Sequence, residues 1–135
     1  MSRRVLIDTN LIVRYLVQDH EKHARAAGKL FEACDRGDIA VVVLPTVLAE
    51  CVFVLESFYG HARADIASAL SRLISSPGVE ISEPEVHLDA LQRYGRIKVH
   101  FVDCLIAAAA AAEKAPVASF DQDFRKFRDI RVEAE

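Results

Sequence analysis

The sequence predicts an α/β protein built on a parallel sheet with helices covering both faces. Short apolar runs alternate with longer segments of helical spacing from one end of the chain to the other. The run IAVVVL (39–44) is β-branched almost throughout and is the clearest strand. No linker, internal repeat or low-complexity tract beyond a run of alanines interrupts the pattern. The 135 residues are therefore expected to form one domain, 1–135, large enough to bury a core.

Residues 4–7, RVLI, read as a buried first strand that stops at Asp8. Residues 10–17 have helical spacing. A second helix over 21–34 places Ala24, Ala27, Leu30, Phe31 and Cys34 on one stripe and is closed by Gly37. After the strand at 39–44, Pro45 suits the first turn of a helix. That helix repeats Val47, Leu48, Cys51, Val54, Leu55 and Phe58 at helical spacing and ends at Gly60. An amphipathic helix over 62–74 is stopped by SSPG. Further along come a short strand at 79–81, a helix over 84–98 and an alanine-rich helix over 103–114. A strand at 116–120, a helical turn at 121–127 and an edge strand at 130–132 complete the expectation.

Composition narrows the function classes. With 52% hydrophobic and 27% charged residues the chain reads as an ordinary globular protein. No run of about 18 or more apolar residues is present, so a membrane span is not expected. Two arginines are followed by only three apolar residues before Asp8, too little for a signal peptide, which points to the cytoplasm. Cys34, Cys51 and Cys104 are odd in number and widely spaced, which argues against a disulfide framework or a zinc site, and the apolar helical patterns around Cys51 and Cys104 make those two core residues. The net charge of −3 argues against a broad, nonspecific nucleic-acid binder. It leaves a nuclease open, since gathering four acids at a metal leaves the remainder near +1 (−3 plus four).

Four carboxylates stand where carboxylates are not usual, unlike Glu21, Glu32, Glu56, Asp65 and Glu113, which fit solvated helix faces. Asp8 ends a strand, where open parallel sheets bind ligands, although an N-cap explains it equally. Glu50 shares the apolar side of its helix with Val47, Phe53 and Val54; an acid at the edge of the stripe, or one paired with arginine, is the plainer reading. Asp103 opens a helix whose next nine residues carry no charge; such a helix is expected to be buried nearly all round, with its start near the core, and a first-turn acid at the helix's positive end is the alternative. Asp121 follows a strand directly, with Asp123 two residues on, and a cap plus an exposed acid would also account for them. The coincidence of all four is what favours a site. Two carboxylates about 4 Å apart repel by about 4 kcal/mol at an effective dielectric of about 20. A cation would have to hold them ionised, and an all-oxygen set suits magnesium or manganese. Phosphodiester hydrolysis is the chemistry such a site serves.

VLIDTNLIVRYL, LPTVLAECVFVLESFYG, FVDCLIAAAA and VASFDQDF, in this order, resemble the PilT N-terminus (PIN) domain, and more narrowly the VapC-type toxins of toxin–antitoxin pairs. The resemblance runs from Val5 to Phe124. It implies a five-stranded parallel sheet flanked by helices, with Asp8, Glu50, Asp103 and Asp121 as the catalytic and metal-binding acids. Asp123 is an alternative for the fourth position, and Thr9, Asn10 and Ser119 match supporting polar positions. It further implies Mg2+ or Mn2+, an RNA substrate cut by a metal-activated water, a homodimer and a VapB-like antitoxin.

His20, His23 and His61 fit surface positions, and His100 stands three residues before Asp103. Tyr15, Tyr59 and Tyr94 are candidates for base stacking, and Arg14, Arg93, Arg96 and Lys98 for phosphate contacts; core tyrosines and solvated charge are the plainer readings. A phosphatase using Asp8 as nucleophile would want a second aspartate where Asn10 stands. A non-catalytic RNA- or partner-binding domain of the same fold is the remaining alternative.

Overall fold

In the computed structural model, which describes residues 3–133, strand β2 (Ile39–Val42) is the centre of a three-stranded sheet. It pairs in parallel with β1 (Arg3–Leu6) on one side and β3 (Val79–Glu80) on the other. Parallel neighbours need long crossovers, and helices supply them. α1 (Thr9–Val17) and α2 (Glu21–Asp35) join β1 to β2, and α3 (Pro45–Ser57) and α4 (Arg63–Ser75) join β2 to β3. α5 (Pro84–Arg96) and α6 (Phe101–Glu113) lead on to β4 (Val117–Ala118). A 3-10 turn (Gln122–Lys126) then carries the chain to β5 (Val132–Glu133).

The expectation of one five-stranded sheet is corrected here. β4 and β5 pair in parallel with each other and form a separate two-stranded sheet. Both are two residues long, so the pair is a minimal ladder. Among the described residues no ladder joins it to the outer edge of β1. That open edge also corrects the reading of a buried first strand. Arg3, Arg4 and Leu6 are exposed, Leu6 to 63%; Val5 is half-buried against the core, and Ile7, just past the strand, is buried in it.

The core lies between the sheets and the helices. Ile12, Val41, Leu48, Ile66, Leu70, Leu91 and Cys104 are wholly enclosed. All three cysteines are free and buried, Cys51 and Cys104 as their apolar settings lead one to expect. Gly78 has a positive φ of 84°, and a Cβ there would stand 2.8 Å from Cys34 Sγ. Only glycine lets the chain enter β3 so close to α2. Helix α6 is not enclosed on all sides, contrary to the reading of its uncharged run. Val102 and Ile106, one turn apart, are exposed. The helix also starts two residues earlier than expected, with His100 as its N-cap.

Candidate active site

Each acid predicted from sequence has a defined seat. Asp8 leaves β1 and is the N-cap of α1, its Oδ1 accepting from Leu11 N–H at 3.0 Å. Asp121 leaves β4 in the same manner and caps the 3-10 turn, with Oδ1 accepting from Asp123 N–H at 2.9 Å. The Ser119 hydroxyl in turn accepts from Asp121 N–H at 2.9 Å. Both strand-end aspartates are therefore caps, and capping engages only one oxygen of each carboxylate.

Asp103, Asp121 and Asp123 converge, with one carboxylate oxygen from each lying within 4.8 Å of the others. Asp103 is half-buried in the first turn of α6, Asp121 is exposed and Asp123 is half-buried. Burial raises the Asp103 carboxyl above its ordinary range, and the neighbouring Asp121 raises it further; His100 opposes both. That is the electrostatic state of a carboxylate cluster without its counter-charge. The donor set fits a hard divalent cation, being all oxygen and presented from the first turn of α6 and from the turn that follows β4. Asp123 also pairs with Lys126 at 3.2 Å, so this acid is shared with a surface cation.

Asp8 and Glu50 are not members of that cluster. They line a second part of the surface, a cleft of about 500 Å³ between α1 and α3 that also includes Thr9, Asn10, Arg14 and Phe58. Glu50 is exposed, on the side of α3 that faces α1, and the Thr9 hydroxyl donates to its Oε1. Beneath them the Cys51 thiol is pushed up to about 12, first by burial and then by the charges of Glu50 and Asp8. It is a neutral core group, not a nucleophile. The division of the acids follows the division of the sheets: Asp8 belongs to the β1 side and Asp121 to the β4 side.

Several residues read from sequence as solvated are structural. Glu56 accepts from the Tyr94 hydroxyl at 2.5 Å and pairs with Arg63 at 3.3 Å. Arg63 Nε donates to the Tyr94 carbonyl at 3.0 Å, and its Nη2 donates to the carbonyls of Ile97 and Val99. Arg93, a candidate for phosphate contact, is buried and grips Asp129 through two nitrogens at 2.8 and 2.5 Å, with Asp89 at 3.1 Å. Tyr94 is enclosed in the core and Tyr15 lies against Phe31, leaving Tyr59 as the tyrosine of the cleft. No local signal in the sequence distinguishes Glu56 and Arg93 from solvated charge: the Arg93–Asp89 pair has the spacing of any surface helix pair, and the partners Tyr94 and Asp129 lie far along the chain.

Among the described residues no helix is long and apolar enough to cross a membrane. A search of curated protein sequences finds no match. Among solved structures the chain is similar to VapBC2 from Rickettsia felis, crystallised with a DNA fragment from the promoter of that pair. The two share 18% identity over 98% of each chain, with a TM-score of 0.40. The profile of the PIN domain family matches residues 5–130. With its acids at strand ends and helix starts and that match across nearly its whole length, the chain belongs to the PIN domain family.

Proposed function

We propose that this protein is a metal-dependent endoribonuclease of the VapC type, the toxin of a toxin–antitoxin pair, acting in the cytoplasm. The observation that carries this reading is the convergence of Asp103, Asp121 and Asp123 within 4.8 Å, with the Asp103 carboxyl raised by burial and by its neighbours. Magnesium or manganese held there would offset the repulsion and lower the pKa of a coordinated water. Asp103 and Asp121 are the ligands from the α6 and β4 sides, with Asp123 beside them. Asp8 and Glu50 supply the acids of the opposite side. Thr9 orients Glu50, while Ser119 fixes the turn that presents Asp121. Hydrolysis adds water across one phosphodiester bond and leaves a 5′-phosphate and a 3′-hydroxyl.

The toxin reading rests on the four sequence motifs and brings with it a VapB-like antitoxin and a homodimer. The non-catalytic alternative draws on one observation: Asp8 and Glu50 stand outside the acidic cluster. Cleavage of total cellular RNA by purified, antitoxin-free protein separates the two. Wild type with manganese or magnesium should cut, and EDTA should stop it. Asp8→Asn and Asp103→Asn should abolish cutting while leaving the fold intact. Glu113→Gln, at the exposed end of α6, should cut as wild type does. Folded, metal-binding wild type that cuts no RNA would leave the binding-domain reading in its place.

A further inference from the structure

The cleft that holds Asp8 and Glu50 has an acidic end and an aromatic end. α3 sets Glu50, Val54 and Phe58 along its wall at four-residue intervals, the spacing that keeps side chains on one face. Phe58 is 80% exposed, although it is a large apolar ring with much to gain from burial. Its support is fixed. It meets Tyr59 edge to face at 5.0 Å, and Tyr59 stacks on His61 at 6.1 Å. The Tyr59 hydroxyl donates to Asp19 at 3.0 Å, and Arg14 holds the same carboxylate at 3.0 Å. A rise of 1.5 Å per residue puts Phe58 about 12 Å from Glu50 along the helix, within reach of one or two nucleotides of single strand.

We propose that Phe58, braced by Tyr59, is a stacking platform for a base of single-stranded RNA one or two nucleotides from the bond that is cut. This rests on the nuclease reading, in which Asp8 and Glu50 of this cleft supply acids from the side opposite Asp103 and Asp121. An exposed ring on a fixed support accepts any base, since every base has a π-face. The polar groups of Thr9, Asn10, Arg14 and Glu50, set among Val13, Val47 and Val54, favour a nucleotide over a wholly apolar peptide side chain. A nucleotide brings hydrogen-bonding groups to Asn10 and Arg14, whereas an apolar occupant would strip their water and return nothing.

The test uses a twelve-nucleotide RNA spanning the cut mapped from total RNA, and versions of it with one base removed at a time within three positions of the cut. Phe58→Ala should raise KM about ten-fold, within the range for loss of one stacked base, and leave kcat near wild type. Phe58→Trp should restore KM. Removing one particular base should raise the wild-type KM by a similar factor and have no further effect on Phe58→Ala. Circular dichroism confirms that the variant is folded, and Phe58 lies outside the core that would unfold it. An unchanged KM in Phe58→Ala overturns the proposal and leaves the ring to a protein partner. Penalties that multiply instead of merging overturn it as well. Absence of cutting by wild type removes the nuclease reading and this inference with it, whereas cutting that ignores Phe58 removes this inference alone.

Discussion

The Thr9 hydroxyl donates to the carboxylate of Glu50 and ties the first turn of α1 to the middle of α3. The bond joins the residue after the capping Asp8 to the one acid that α3 contributes to the cleft. Glu50 is exposed, so losing the bond leaves no carboxylate buried without a partner. Thr9→Val should therefore lower RNA cleavage about ten-fold through a misplaced acid, with little change in melting temperature. Thr9→Ser keeps the hydroxyl and should keep activity. A Thr9→Val protein as active as wild type would show that Glu50 needs no such orientation.

Asp103 gives a prediction whose sign depends on metal. Burial and Asp121 hold its carboxyl above the ordinary value of 3.8. An acid raised on folding favours the folded state below its unfolded value, and that advantage is lost as pH rises through the folded value. At neutral pH the ionised Asp103 thus destabilises the metal-free protein. Asp103→Asn should raise the metal-free melting temperature while abolishing the increase that saturating manganese gives wild type. At a hundred times its dissociation constant a ligand adds about 2.7 kcal/mol, which is easily read in a melting curve. A manganese response that survives in Asp103→Asn but disappears in Asp8→Asn would move the metal to the other side of the divided site.

The order of the elements was legible because each announces itself locally. Pro45 starts α3, the β-branched run makes β2, and the Ser-Ser-Pro-Gly stretch stops α4. What was not legible depends on which distant segment lies alongside. Nothing in RVLI tells whether both edges of a strand are paired, and among the described residues β1 is paired only on its β2 side. The alanine run of α6 hides its exposure, since alanine suits core and surface alike, and Val102 and Ile106 mark the open face. The candidate site is a similar case. Asp8 and Asp121 look like caps and are caps. The approach of Asp121 to Asp103 of α6 is a property of packing that no single position carries. Glu56 meets Tyr94 across 38 residues and Arg93 meets Asp129 across 36, distances over which helical periodicity is silent.

The Glu56–Tyr94–Arg63 network fixes the approach to α6. The Tyr94 hydroxyl is held out of its ordinary range, raised by burial first and by its bond to Glu56 second. Tyr94→Phe removes a hydrogen bond to a charged group and should destabilise the protein by about 1.5–3 kcal/mol. Arg63→Met should do more than destabilise. Arg63 grips the carbonyls of Ile97 and Val99, which lead directly to the His100 cap and to Asp103. Its loss should lower kcat for RNA as well as the melting temperature, whereas Tyr94→Phe, which leaves those carbonyl bonds in place, should lower the melting temperature alone. Equal kcat in Arg63→Met and wild type would separate this network from the site.

Arg93 and Asp129 carry the last prediction. Arg93 is buried, whereas more than half of the Asp129 side chain is exposed, so the two partners respond differently to loss of the pair. Arg93→Met leaves Asp129 free to regain water, which places the cost below that of stranding a buried charge, at about 1–3 kcal/mol. The pH dependence follows from Asp129. Its bond to Arg93 holds the carboxyl below 3.8. A depressed acid stabilises the folded state above its unfolded value, and that stability is lost as pH falls through the folded value. Wild type should therefore lose stability as pH drops below about 3.8, and Arg93→Met should lose less over the same window because its Asp129 titrates alike in both states. Melting curves at pH 7 and across the acid limb test both parts. A variant as destabilised as expected at pH 7 but with an unchanged acid limb would assign the loss to the seat of the Arg93 guanidinium over the Phe127 ring instead of to its pairing with Asp129.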